Sequence, residues 1–161
     1  MNSGHMLLTI AGVFLLSNLI LNVHKANTNR LLTNYTSESV IDASGLAQSI
    51  IDMIQSKAFD ENTVNKAVWQ TDSLTSVNNI GPESGEYMHT EFDDIDDYNK
   101  YSETVTLDRM GDFDISVSVF YVNTLNPQIK SSIPTYSKKI ELSITNYSLL
   151  DTLKYHHIVS Y

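Results

Sequence analysis

Residues 6–23 (MLLTIAGVFLLSNLILNV) carry no charged side chain, in a chain that is otherwise acidic and polar. As a helix rising ~1.5 Å per residue they reach ~27 Å, close to the hydrocarbon thickness of a bilayer. A cleaved secretory signal wants Lys or Arg before the apolar run and an A-x-A-like site after it. Residues 1–5 and 23–27 supply neither. A membrane-spanning helix fits. Thr9, Gly12, Ser17, Asn18 and Asn22 interrupt the run, and small or amide residues of this kind suit packing of helix on helix.

The apolar positions Ala43, Leu46, Ala47, Ile50, Ile51, Ile54 and Ala58 follow the spacing of one helical face, with Asp42, Gln48, Ser49, Asp52, Gln55 and Ser56 between them. No proline precedes Pro82, so a continuous helix over 5–58, on the order of 80 Å long, is allowed. Residues 33–39 (TNYTSES) are its weak link, because a Ser or Thr there can cap a new helix instead.

Residues 59–104 read as a connecting loop, with Gly81, Pro82, Gly85 and many Ser, Thr and Asn. Period-two runs follow over 105–161. Val105 and Leu107 form one; Phe113, Ile115, Val117, Val119 and Tyr121 form a second; Ile140, Leu142 and Ile144 form a third. Leu153, Tyr155, His157, Val159 and Tyr161 alternate as well. Gly111 suits a tight hairpin, which makes the sheet antiparallel. The expected fold is α+β: a long N-terminal helix, apolar in its first half, whose second half packs on an antiparallel sheet of about four strands. Residues 36–58 and the sheet form one globular head.

At 161 residues there is room for one such head. A net charge of −9 and ten scattered Lys and Arg exclude a nucleic-acid partner. The absence of cysteine excludes disulfides and thiolate chemistry.

Gly4 directly before an uncharged apolar segment, the length of the helix, the helix–loop–sheet order and the stretch FDDIDDYNKY at 92–101 together resemble the type IV pilin-like proteins, including the pseudopilins of type II secretion. The layout covers nearly the whole chain; the motifs cover only the first twenty-odd residues and the acidic stretch. The resemblance implies that a prepilin peptidase cuts between Gly4 and His5, removing residues 1–4 as a short leader and methylating the new terminus. It implies that residues 5–23 wait in the inner membrane. Met6, Leu7, Leu8, Thr9, Ala11, Gly12, Phe14, Leu15, Ser17 and Leu19 then bundle with other pilin-like subunits, of the same or different kind, in the core of an extracellular or periplasmic filament.

The chain departs from the family in three places. The leader MNSG lacks Lys and Arg, Thr9 stands where most members carry a glutamate that pairs with a neighbour's terminal amine, and Ala26 stands where they carry proline. A hydroxyl at Thr9 supplies only a hydrogen bond, so register must come from packing and from the heads. Lys25 and Arg30 follow the span, and the positive-inside tendency alone puts the head in the cytoplasm. An outward head rests on the resemblance.

Asp93, Asp94, Asp96 and Asp97 offer hard oxygen ligands to calcium, but they lack the EF-hand spacing and glycine. A solvated or lysine-paired loop is the favoured reading, and no cofactor is required. His156 and His157, adjacent on a strand, point to opposite faces and do not share one ion. Asn34-Tyr35-Thr36 and Asn146-Tyr147-Ser148 match the glycosylation pattern, which is common by chance. Tyr98, Tyr101, Tyr121, Tyr136, Tyr147 and Tyr155 are expected at sheet edges and between heads. No nucleophile elbow, zinc-protease motif or phosphate loop occurs, so catalysis is not expected. Two functions remain: a structural subunit of a pilus-like or pseudopilus filament, or a monomeric membrane-anchored envelope protein whose head binds a ligand or calcium.

Overall fold

The computed structural model describes residues 3–161, and the first two residues of the expected leader lie outside them. Helix α1 (Ser3–Gln55) is followed by a short helix α2 (Glu61–Val64), 3-10 turns at Thr71–Ser73 and Asp96–Tyr98, and strands β1 (Ser102–Leu107), β2 (Gly111–Tyr121), β3 (Ser137–Thr145) and β4 (Leu153–Ser160). The four strands form one antiparallel sheet in the order β1-β2-β3-β4. This is the expected α+β, pilin-like layout. By internal contacts the chain divides into two units, Met1–Glu38 and Ser39–Tyr161.

α1 does not break at 33–39. The two threonine hydroxyls of this stretch bond back along the helix instead, Thr33 to the Asn29 carbonyl (2.9 Å) and Thr36 to the Leu32 carbonyl (3.1 Å). The helix does stop at Gln55, three residues short of the expected Ala58. The Lys57 amide donates to Ile54 O in a tightened last turn, and Ala58 leaves to form a parallel bridge with Asp94. The sheet also starts earlier than 105, because Ser102 already pairs with Ser116.

The core of the second unit sits between the C-terminal part of α1 and one face of the sheet. Ala43, Ala47, Ile50, Ile51 and Ile54 of the helical stripe are buried with Phe113, Ile115, Val117, Val119 and Tyr121 of β2 and Ile140, Leu142 and Ile144 of β3. Leu46 is partly buried at its margin. Cross-strand register aligns the apolar pairs, Val117 with Leu142 and Val119 with Ile140. The β1–β2 hairpin closes through Gly111, which takes φ +69 opposite Leu107, as a three-residue loop with a left-handed glycine requires. Beside it, Asn146 donates its side-chain amide to Met110 O and Asp112 O. That glycosylation-pattern asparagine is therefore engaged in holding the hairpin.

Tyr98 and Tyr121 are fully buried, not at the sheet edges as expected. Tyr121 continues the inward phase of β2, and Tyr98 packs edge-on against Phe92 (5.0 Å) and Tyr101 (5.7 Å). Tyr147 is exposed as expected. His156 and His157 do face opposite sides of β4.

Candidate assembly helix and acidic loop

In the first unit, Met6, Leu7, Leu8, Phe14, Leu15 and Leu19 are each more than half exposed, and Thr9, Ala11, Gly12 and Ser17 are exposed with them. This part of α1 is long and apolar enough to cross a membrane, and none of its apolar window is buried. Three of its polar side chains bond back onto the helix. Thr9 donates to Met6 O (2.8 Å), Ser17 to Val13 O (2.8 Å) and Asn18 to Phe14 O (2.9 Å). These bonds lower the cost of carrying the three side chains into an apolar environment. A Cβ added at Gly12 meets nothing within 4 Å, so the head's packing does not explain this glycine. Gly4 and His5 lie in the first turns of the same helix.

The acidic loop differs from its expected form. Only Asp93 is exposed; Asp94, Asp96 and Asp97 are buried. Lys138 is buried too, and its ammonium lies 2.7 Å from Asp96 Oδ1 and 3.0 Å from Asp60 Oδ2 and donates to Phe59 O at 2.7 Å. The lysine-paired reading holds for Asp96, and the solvated one for Asp93 alone. Lys138 also sits over the rings of Phe59 (4.5 Å) and Tyr121 (4.9 Å).

Asp60 caps α2 and gathers donors from four elements. It accepts from the Asn62 amide, from the Thr75 amide and hydroxyl, from Lys138 and from the Tyr121 hydroxyl at 2.7 Å. Burial opposes ionisation, yet the Lys138 charge and these hydrogen bonds hold its carboxyl below the ordinary value. The same burial, with Lys138 resisting, pushes Asp96 up to about 6. For Asp94, burial and the neighbouring Asp96 and Asp97 push the value to about 8. Its Oδ1 accepts from the Asp96 and Asp97 amides, while its buried Oδ2 has no donor. A neutral carboxylic acid fits that environment.

Asp97 belongs to a different constellation. One carboxylate oxygen from each of Glu83, Glu86 and Asp97 lies within 4.8 Å of the others. Asp97 Oδ2 accepts from the Asp93 and Asp94 amides (3.0 and 3.1 Å), leaving its buried Oδ1 without a donor. Burial, hydrogen bonding with Glu86 and the negative charge of Asp97 push Glu83 up to about 8. Burial raises Asp97 as well, against the pull of the two amides.

Sequence reasoning missed Lys138, Asp60, Glu83 and Glu86. Lys138 was findable, since it precedes Ile140 by two residues and shares the inward phase of β3. The other three lie in loops or at a cap, where no periodicity marks burial. Comparison of the chain with protein-family models, curated proteins and solved structures finds no match.

Proposed function

We propose that this chain is a structural subunit of a type IV pilus-like or pseudopilus filament, held in a membrane by residues 5–23 before assembly. The observation that carries the reading is the apolar surface of α1 up to Val23, exposed in its own unit and with Thr9, Ser17 and Asn18 bonded back onto the helix. Such a surface has two natural environments, lipid and other helices of the same kind. Transfer from one to the other exchanges apolar contacts for apolar contacts, so small residues such as Ala11, Gly12 and Ser17, which let backbones approach, guide the choice.

In this reading Gly4–His5 is the bond cut by a prepilin peptidase, and the partners are pilin-like subunits of the same or another kind. The test is to shear native cells, sediment the released material, and determine the N-terminal residue and mass of this chain in it. Fibres containing a chain that starts at methylated His5 support the proposal. An unprocessed chain recovered only as a detergent-soluble monomer, in cells with an active peptidase, overturns it in favour of a membrane-anchored envelope protein.

A further inference from the structure

We infer that Lys138 and Asp96 condense into an intramolecular amide, an isopeptide cross-link between β3 and the acidic loop, with Asp60 carrying the proton. The reaction asks for an amine and a carboxyl group held together away from water. Lys138 Nζ lies 2.7 Å from Asp96 Oδ1 and 2.8 Å from Asp96 Oδ2. The carboxyl carbon between those oxygens is therefore about 3 Å from the nitrogen, the separation of a near-attack pair. None of the three side chains is exposed, and the rings of Phe59 and Tyr121 lie against the nitrogen at 4.5 and 4.9 Å. In water the two ions outlast the amide because both are well solvated. Burial removes that advantage, and fixing the groups in contact is worth an effective concentration of about 10⁵–10⁸ M.

The two aspartates are not equivalent. Both oxygens of Asp60 are engaged, by Asn62, Thr75 and Tyr121 as well as by Lys138. Its carboxyl is held below the ordinary value, so it stays a carboxylate, which resists attack and can accept a proton. Among the described residues Lys138 alone bonds to the Asp96 carboxyl, whose Oδ1 takes no hydrogen bond. A turn about its last torsion, which is broad for aspartate, brings the face of that carboxyl to the nitrogen. Burial raises Asp96 to about 6, towards the neutral acid that an amine attacks.

The step balances without a co-reactant. Transfer of one ammonium proton to Asp96 gives the neutral amine and the neutral acid. The Nζ lone pair forms the bond to Asp96 Cγ. Asp60, 3.0 Å from the nitrogen, takes a second proton from it and passes this to the departing hydroxyl as the C–O bond breaks. One amide and one water result, and Asp60 is a carboxylate again. The product closes residues 96–138, with β1 and β2 between them, into one covalent loop. Chain that has not condensed keeps the ion pair and the pH response of its carboxyls.

The test uses the full chain in detergent micelles, kept folded at neutral pH for several days and then denatured, a treatment that breaks an ion pair and spares an amide. Intact mass should show a chain lighter by one water, and protease digestion should release one branched peptide containing both Asp96 and Lys138. Asp60→Asn keeps an oxygen to cap α2, and circular dichroism checks that it folds. It should condense at least about tenfold more slowly than wild type. A folded wild-type chain of full mass, with Asp96 and Lys138 in separate peptides, would overturn the inference. A branch through Asp60 would overturn the choice of Asp96, and condensation of Asp60→Asn at the wild-type rate would overturn the proton-carrying role.

Discussion

Lys138 Nζ lies 2.7 Å from Asp96 Oδ1, with neither side chain exposed to solvent. The pair joins β3 to the 3-10 turn of the acidic loop, and Asp60 at 3.0 Å extends it to the cap of α2. Three segments that share no regular backbone ladder are thereby fastened to one ammonium. Replacing Lys138 alone strands buried carboxylates, which costs about 3–5 kcal/mol. Lys138→Met is therefore expected to lose that much in urea unfolding of the full chain in micelles. The triple variant with Asp60→Asn and Asp96→Asn should recover part of it, and failure of any recovery would show that packing of the lysine stem dominates.

The pH dependence follows from the raised carboxyls. Asp94 moves from 3.8 to about 8, so between those values the folded chain binds more protons than the unfolded one. Its contribution to stability is full below pH 4 and is lost as pH rises through about 8. Asp96 acts in the same direction up to about 6, whereas lowered Asp60 acts oppositely, below pH 4. Asp94→Asn keeps an acceptor for the Asp96 and Asp97 amides but never ionises. Thermal melts should show it close to wild type at pH 5 and more stable than wild type at pH 8.5, with a shallower slope between.

Much of the fold was legible in the sequence because burial there follows a period. Ala43 to Ile54 announce a helical face, and Phe113 to Tyr121 a strand face, by spacing alone. The acidic loop was illegible for the opposite reason. Aspartates are ordinarily exposed, and what buries Asp96 is a lysine 42 positions later, while Asp60 finds the same lysine across 78. Local pattern carries no trace of such a pairing. Phe92, Ile95 and Tyr98, each three residues from the next and all buried, are the one cue in the stretch that it turns inward.

The helical stripe gives a prediction with its own control. Ile54 is fully buried, whereas Ile41 on the same helix is 70% exposed. Ile54→Ala is expected to destabilise by about 2–5 kcal/mol through lost burial and a cavity, and Ile41→Ala to stay within about 0.5 kcal/mol. Equal losses in chemical denaturation would mean that Ile41 is covered in the folded protein.

Gly111 tests backbone against side-chain cost. Its φ of +69 is unfavourable for residues with a Cβ, and an added Cβ falls 3.2 Å from a ring carbon of Tyr147. Tyr147 is exposed and free to move aside, so the backbone should dominate. Gly111→Ala is expected to cost about 1–2 kcal/mol, equally in wild-type and Tyr147→Ala backgrounds, with Gly111→Asn recovering part. A penalty that vanishes with Tyr147→Ala would assign it to the ring instead.

Gly12 separates folding from assembly. A Cβ added there meets no atom within 4 Å beyond the adjoining backbone of its own helix, and the residue lies outside the unit that holds the core. Gly12→Leu is therefore expected to leave membrane insertion and the melting of the head unchanged, since it makes the span more apolar. In a bundle, the same leucine would push apart backbones that a small residue lets approach. Cells producing the variant should yield at least tenfold less of this chain in the sheared, sedimentable fraction, with the membrane fraction undiminished. Normal filament yield would mean that Gly12 faces away from neighbouring helices, and would shift the contact face to the side of the helix carrying Ala11 or Ser17.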